Sequence, residues 1–182
     1  VRHELARPFM VIATQNPIEY EGTYPLPEAQ LDRFLFKIMV TYPSYDQEIE
    51  ILSRHHERKG ALPVSEITPL LKADEIELFR TFARQVHIEK NLLTYIAQII
   101  QETRNNPMIF LGASPRASLS VLTGAKAYAI LNGRDFVNPE DVKFIATPVL
   151  RHRIVLSPEK EMEGLNADEV IAQIINKIEV PR

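Results

Sequence analysis

The sequence predicts a mostly α-helical chain in which a bundle of helices follows two strands of a larger sheet. From Tyr42 onward, apolar residues recur with the 3.6-residue period of helices, and serine or asparagine stands where helices should begin. Before Tyr42, the apolar run Phe9–Ala13 is typical of a strand buried on both faces, which needs neighbouring strands and helices, and Leu35–Val40 is predicted as a second strand. We therefore expect one unit over residues 1–41 and a second, helical unit over residues 42–182.

The helices are predicted from their caps and their apolar stripes. Ser44 with Gln47 is a capping-box sequence, and Gly60 can close the same helix. Pro148 should distort one helix near its end. The predicted N-cap residues are Ser44, Ser114, Asn138 and Asn166. The stripes expected to face a core are Phe79/Phe82/Ala83/Val86, Leu92/Ile96/Ile99/Thr103, Val142/Ile145/Ala146/Val149 and Ile171/Ile174/Ile175/Ile178.

Composition excludes several classes of function. The chain has no cysteine, so disulfide scaffolds, thiolate metal sites and a cysteine nucleophile are excluded. Its net charge of -3 gives no electrostatic basis for binding nucleic acid or an anionic membrane. The longest apolar runs, such as Phe9–Ala13, are too short to span a bilayer. We expect a cytoplasmic protein that binds neither nucleic acid nor membrane.

Two elements of nucleotide hydrolysis are missing from the sequence. The glycines never form the G-x-x-x-x-G-K-[ST] phosphate-binding loop. No acidic pair follows a buried strand, where a magnesium site would be expected, and the adjacent His55 and His56 lie on different helix faces and make a poor chelate. This chain alone should therefore not hydrolyse a nucleotide, and it offers no metal site.

Asn16 and Arg33 are two candidate functional residues next to the predicted strands. Asn16 follows the carboxyl end of the first strand, where open parallel sheets bind ligands; the alternative is an Asn-Pro turn that merely ends the strand. Arg33 precedes the second strand, and its guanidinium suits a phosphate or a neighbouring subunit. The alternative for Arg33 is a local ion pair with Asp32 or Glu28.

Arg116 is the third candidate, because it lies in the first turn of a predicted helix. A cation there opposes the helix dipole, which is unfavourable by a few tenths of a kcal/mol to about 1 kcal/mol. The free N–H groups at Gly112–Ser114 together with this arginine would suit an anion, whose arrival would turn the penalty into binding energy. The alternative is an arginine in solvent, paired with a glutamate at most.

Long segments of the chain resemble the MoxR family of AAA+ ATPases. Ala13–Phe34 is similar to the family's stretch from sensor 1 to the arginine finger, and Gly112–Ser118 resembles its sensor-2 motif. Gly133–Val142, Val149–Arg153 and the closing Pro181-Arg182 also agree with the family in order. The resemblance covers the whole chain but only the second half of the family's module. It implies the end of the αβα nucleotide-binding core over residues 1–41 and the helical lid over residues 42–182.

The resemblance also implies roles for the candidate residues. Asn16 would be sensor 1, which orients the attacking water, and Arg116 would be sensor 2, which reaches the phosphates of its own subunit. Arg33 would be the arginine finger, offered to nucleotide in the next subunit. Tyr42 and Pro43, at the joint between core and lid, would contact the base. The complete protein would use ATP and Mg²⁺, whose ligands are outside this chain.

A finger that acts on the next subunit implies a closed ring, expected to be a hexamer. The resemblance further implies chaperone-like remodelling or maturation of other proteins, with von Willebrand factor A-domain proteins as partners. A second hypothesis is a non-enzymatic helical adaptor that binds a partner protein through an apolar groove. A third, remodelling of DNA, is disfavoured by the acidic charge balance.

Overall fold

The described part of the chain is mostly helical, as the sequence predicts. The structure is a computed structural model, and it describes residues 3–15, 26–60, 64 and 67–181. The helices are α1 (Glu28–Leu31), α2 (Tyr45–Arg58), α3 (Ala73–Gln85), α4 (Lys90–Asn105), α5 (Pro115–Leu131), α6 (Pro139–Leu150), α7 (Pro158–Met162) and α8 (Ala167–Lys177). The strands are β1 (Ile109–Leu111) and β2 (Val155–Leu156).

The predicted caps form at most helix ends. At α2 the Ser44 hydroxyl accepts from the Gln47 N–H at 3.4 Å, and the Gln47 amide oxygen accepts from the Ser44 N–H at 2.9 Å. Lys59 ends the helix in the left-handed conformation with φ 47°, and Gly60 follows with φ 92°. The same reciprocal bonds are made by the pairs Asn138/Asp141 at α6 and Asn166/Glu169 at α8. These bonds satisfy N–H groups that the first turn leaves without partners.

The core lies where α4, α5, α6 and α8 pack together. The predicted stripes of α4 and α6 are entirely buried, and in the stripe of α8 only Ile178 is partly exposed. The stripe predicted on α3 is different. Phe79 and Phe82 are about half exposed, and the buried member of that stripe is Val86, which follows the last turn. A helical period therefore predicted α3 as a helix without predicting how deeply it is buried.

The prediction of strands at Phe9–Ala13 and Leu35–Val40 is wrong for this structure. Neither run forms a strand, because a strand requires hydrogen bonds to a neighbouring strand and neither run has such a partner among the described residues. The second run bonds to the helical bundle instead: the Lys37 N–H donates to the carbonyl of Pro148 at 3.0 Å. The exposure of its apolar side chains ranges from 36% at Phe36 to 90% at Val40.

A short, partly exposed sheet that the sequence did not predict connects two loops of the helical bundle. Strands β1 and β2 pair antiparallel, with Ile109 opposite Leu156 and Leu111 opposite Val155. Strands of three and two residues are too short for a period of two to be recognised. The pairing draws the start of α5 towards the segment after α6, since β1 leads into the N-terminus of α5 and β2 begins two residues after Arg153.

Candidate functional site

The carboxylate of Asp32 bonds the segment that contains Arg33 to three side chains of the helical bundle. The Ser114 hydroxyl donates to Asp32 and lies 3.1 Å from each carboxylate oxygen. Arg116 donates from Nη1 to Oδ2 at 2.9 Å, and Arg153 donates from Nε to Oδ1 at 3.0 Å. Three side chains of the bundle therefore bond to the same carboxylate. We call these four residues the Asp32 cluster: Asp32, Ser114, Arg116 and Arg153.

The cluster neutralises the unfavourable arginine at the start of α5. Arg116 stands in the first helical turn, where the helix dipole repels a cation. Ser114 is the N-cap residue, as predicted, but its side chain makes no capping bond to the helix, and its hydroxyl donates to Asp32 instead. The anion expected at this helix end is thus supplied, in this structure, by the chain itself.

The segment that leads into α5 is fixed against the end of α4. The Ala113 N–H donates to the Thr103 hydroxyl at 3.0 Å, and Arg104 Nε donates to the Ala113 carbonyl at 2.9 Å. A Cβ on Gly112 would lie 2.7 Å from both the Thr103 carbonyl oxygen and the Arg104 Cα. Only glycine allows the two backbones to approach so closely, and this approach sets the position of Ser114 and Arg116.

Arg153 is the buried member of the cluster, with a side chain that is 1% exposed. Besides the Asp32 carboxylate, its guanidinium donates to the carbonyls of Asp32 and Leu35, both at 3.0 Å. Further acceptors are the carbonyls of Phe34 and Val149 and the hydroxyl of Ser120. Burial lowers the pKa of Arg153, and its bond to Asp32 opposes that shift. The planar fork of arginine suits this set of acceptors, which lysine could not satisfy.

The two residues before Arg153 extend the attachment along residues 32–37. His152 lies with Nε2 3.0 Å from the Phe34 carbonyl. Arg151 donates from Nε to the Asp168 carboxylate at 3.0 Å and from Nη1 to the Lys37 carbonyl at 3.2 Å. Three consecutive side chains after α6 thus hold the segment that contains Arg33.

His152 makes this attachment sensitive to pH. Burial is the main cause that lowers the pKa of His152 below its ordinary value of 6.5. The bond to the Phe34 carbonyl raises this pKa, and the charge of Arg153 lowers it further. At neutral pH the ring is therefore uncharged and its Nε2–H donates to Phe34. Between the two pKa values the unfolded chain binds more protons than the folded chain, so stability falls as the pH drops below about 6.5.

Replacing His152 with glutamine should reduce this pH dependence, because the amide can donate to the Phe34 carbonyl without titrating. We expect the free energy of unfolding in urea to fall less for His152→Gln than for the unchanged chain between neutral pH and about pH 5.5. His87, which is exposed, provides the matched control as His87→Gln. An equal fall for the unchanged chain and His152→Gln would contradict this assignment.

The structure brings some of the predicted site residues together and leaves others apart. Arg116 and the segment containing Arg33 meet at Asp32. The side chain of Arg33 is exposed and makes no hydrogen bond or ion pair to other residues of the described ranges. Tyr42 is 87% exposed and forms no hydrogen bond with the cluster, and Pro43 is likewise exposed. Asn16 lies outside the described residues.

Sequence reasoning missed the roles of Asp32, His152 and Arg153. The sequence suggests Asp32 only as a local partner of Arg33, whereas its partners lie more than eighty positions away. A signal for Arg153 was present: it is a charged residue between the apolar pair Val149-Leu150 and the apolar run Ile154–Leu156. A charge in such a setting is typical of a buried, paired arginine.

The described residues contain no cluster of acidic and histidine side chains able to hold a metal ion, and no helix among them is suited to crossing a membrane.

Family models match both parts of the chain. The model of the AAA lid domain matches residues 101–174, and a model of ATPases associated with various cellular activities matches residues 1–36. Together they cover more than half of the chain. The chain is also 38% identical to the chaperone MoxR1 of Mycobacterium tuberculosis, over 96% of this chain and 48% of that protein. The chain belongs to the MoxR family of AAA+ ATPases.

Other relatives agree with this MoxR-family assignment. YeaC of Bacillus subtilis is 42% identical over 98% of this chain and 55% of its own length. The solved structure of a candidate ATPase from Cytophaga hutchinsonii superimposes with a TM-score of 0.89 at 36% identity, covering 99% of this chain and 56% of that one. The MoxR-family chain thus spans about half the length of the relatives it matches, and its mostly helical fold is that of the lid.

Proposed function

We propose that this chain supplies the sensors, the arginine finger and the lid of a MoxR-like protein that hydrolyses ATP with Mg²⁺. The observation that carries the proposal is the Asp32 cluster, which joins the segment of Arg33 to the start of the lid helix that carries Arg116. Phosphoryl transfer depends on positioning and on neutralising charge at the phosphates, and two exposed arginines beside one anchored segment suit that task. We place the Mg²⁺ ligands and the phosphate-binding loop outside this chain.

Each candidate residue has a proposed role in that reaction. Arg33 is the arginine finger, presented to ATP in a neighbouring subunit, and Arg116 is sensor 2, which binds phosphate. Asn16 is sensor 1 and orients the attacking water. Tyr42 and Pro43, just before α2, contact the base. The boundary between the end of the nucleotide-binding core and the lid lies at residues 41–42.

The position of Arg116 bears on which nucleotide it serves. The resemblance alone assigns Arg116 to the phosphates of its own subunit. Its 2.9 Å bond to Asp32, the residue immediately before Arg33, favours instead a phosphate site that both arginines share. In that arrangement the two cations of one subunit would complete the site of the next, and neither subunit would hydrolyse ATP efficiently alone.

The complete protein is proposed to work as a ring, since a head-to-tail contact that presents Arg33 to a neighbour must either close or grow into a filament. We propose six subunits, a cytoplasmic location and chaperone-like remodelling or maturation of client proteins, with von Willebrand factor A-domain proteins as partners. The relative named as a chaperone, MoxR1, supports the type of activity. Closure of the lid on ATP would move Arg116 and convert the nucleotide state into movement at the ring surface.

The test compares ATP hydrolysis by the complete protein with hydrolysis by this chain alone, in the presence of Mg²⁺. We expect turnover and ring formation, followed by light scattering, only for the complete protein, because the phosphate-binding loop is absent from residues 1–182. A well-folded complete protein without ATP hydrolysis would contradict the proposal. Capture of a stable partner protein by residues 42–182, together with that inactivity, would favour the helical adaptor instead.

A further inference from the structure

The members of the Asp32 cluster differ strongly in exposure. The side chain of Arg153 is 1% exposed and that of Asp32 is 20% exposed, whereas that of Arg116 is 52% exposed. Arg153 holds both the carboxylate and the main-chain carbonyl of Asp32, and Ser114 bonds to both carboxylate oxygens. Asp32 is therefore fixed from the buried side, and Arg116 is the partner that solvent can reach.

Another anion can replace Asp32 as the partner of Arg116 while the other bonds of the cluster remain. An ion pair that is half exposed is weak, because water and salt screen it. If Arg116 leaves, the Asp32 carboxylate keeps the charge of Arg153 and the hydroxyl of Ser114. A triphosphate carries more negative charge than one carboxylate and offers several oxygens to a guanidinium, so it can displace Asp32 from Arg116.

We propose that Asp32 is a positioning residue that holds Arg116 until a phosphate of ATP takes its place, and that this competition lowers the ATP affinity of the site. The inference rests on the proposed function of Arg116 as a phosphate-binding residue. Asp32 itself touches no phosphate. It acts through Arg116. Because Asp32 directly precedes Arg33, the replacement of Asp32 by phosphate takes place at the segment that carries the arginine finger.

The test measures binding of the slowly hydrolysed analogue ATPγS to the complete protein. Asp32→Asn keeps an oxygen for Arg153 and the shape of the side chain but removes the charge that holds Arg116. We expect ATPγS to bind about two- to fivefold more tightly to Asp32→Asn, in line with the strength of exposed ion pairs. Unchanged or weaker binding to a folded Asp32→Asn protein would overturn the inference.

The same substitution in an Arg116→Ala background separates competition from simple repulsion between Asp32 and phosphate. Repulsion would raise the affinity by the same factor in both backgrounds, and that result would overturn the inference. Competition requires that most of the gain disappear when Arg116 is absent. If Arg116→Ala alone leaves ATPγS binding unchanged, it is the proposed role of Arg116 that fails, which is distinguishable from failure at Asp32.

Ser114→Ala provides a second test that keeps every charge and does not depend on the folding of Asp32→Asn. The hydroxyl of Ser114 makes no capping bond to α5, so its loss leaves the helix cap as it is. Without this donor the Asp32 carboxylate is less neutralised and holds Arg116 more firmly. We expect ATPγS to bind more weakly to Ser114→Ala, provided that Arg116 is present. Equal or tighter binding would overturn the inference.

Discussion

Replacing Arg33 with alanine in the complete protein should lower ATP turnover by about a thousandfold or more, which is the effect of removing an arginine finger in related phosphoryl-transfer reactions. The side chain of Arg33 is exposed and has no bonding partner among the described residues, so its removal breaks no contact of the fold seen there. The guanidinium is needed when charge develops on the transferred phosphoryl group. The loss should therefore fall on kcat, with a smaller change in ATP binding.

A matched substitution shows whether the loss is specific to Arg33. Arg80 is an exposed arginine of α3 whose only role in the described residues is an ion pair with Glu77 at 2.6 Å. Arg80→Ala should leave ATP turnover close to that of the unchanged protein, since exposed ion pairs within a helix contribute little. Turnover that is near normal for Arg33→Ala, or that falls equally for both variants, would remove the finger assignment.

Replacing Arg153 with methionine should lower the free energy of unfolding of the chain by about 3–5 kcal/mol, because it removes one partner of a buried ion pair. Methionine fills much of the space but donates no hydrogen bond. The carbonyls of Phe34, Leu35 and Val149 would lose a donor, and Asp32 would lose the partner that fixes it. Urea unfolding followed by circular dichroism measures the change.

Arg54→Met is the control for this stability measurement. Arg54 is 64% exposed and pairs with Glu50 one turn earlier on α2, so its replacement should change the free energy of unfolding by less than about 1 kcal/mol. Similar losses for Arg54→Met and Arg153→Met would contradict the view that Arg153 anchors residues 32–35 to the bundle.

Local chemistry made the helices predictable from the sequence. The capping boxes at Ser44, Asn138 and Asn166 depend on residues three positions apart, and all three form. The strand prediction failed because a strand also needs a partner, and apolar runs such as Leu35–Val40 do not state where that partner is. The fold class was therefore predictable, whereas the short pairing of β1 with β2 was not.

The candidate site was only partly predictable, for a similar reason. Arg116 was recognisable because a cation in a first helical turn breaks a local rule. The partner that removes the penalty, Asp32, lies 84 positions earlier and could not be identified from spacing. Arg153 is separated from Asp32 by 121 positions, so its anchoring role became visible only in the folded chain.

Mixing two inactive forms of the complete protein tests the claim that Arg33 completes a nucleotide site in a neighbouring subunit. One form carries Arg33→Ala and the other has an inactivated phosphate-binding loop. In a mixed ring an intact loop of one subunit can meet an intact Arg33 of the next, so ATP hydrolysis should reappear on mixing. Mixed rings, verified by light scattering and co-purification, that remain inactive would contradict the claim.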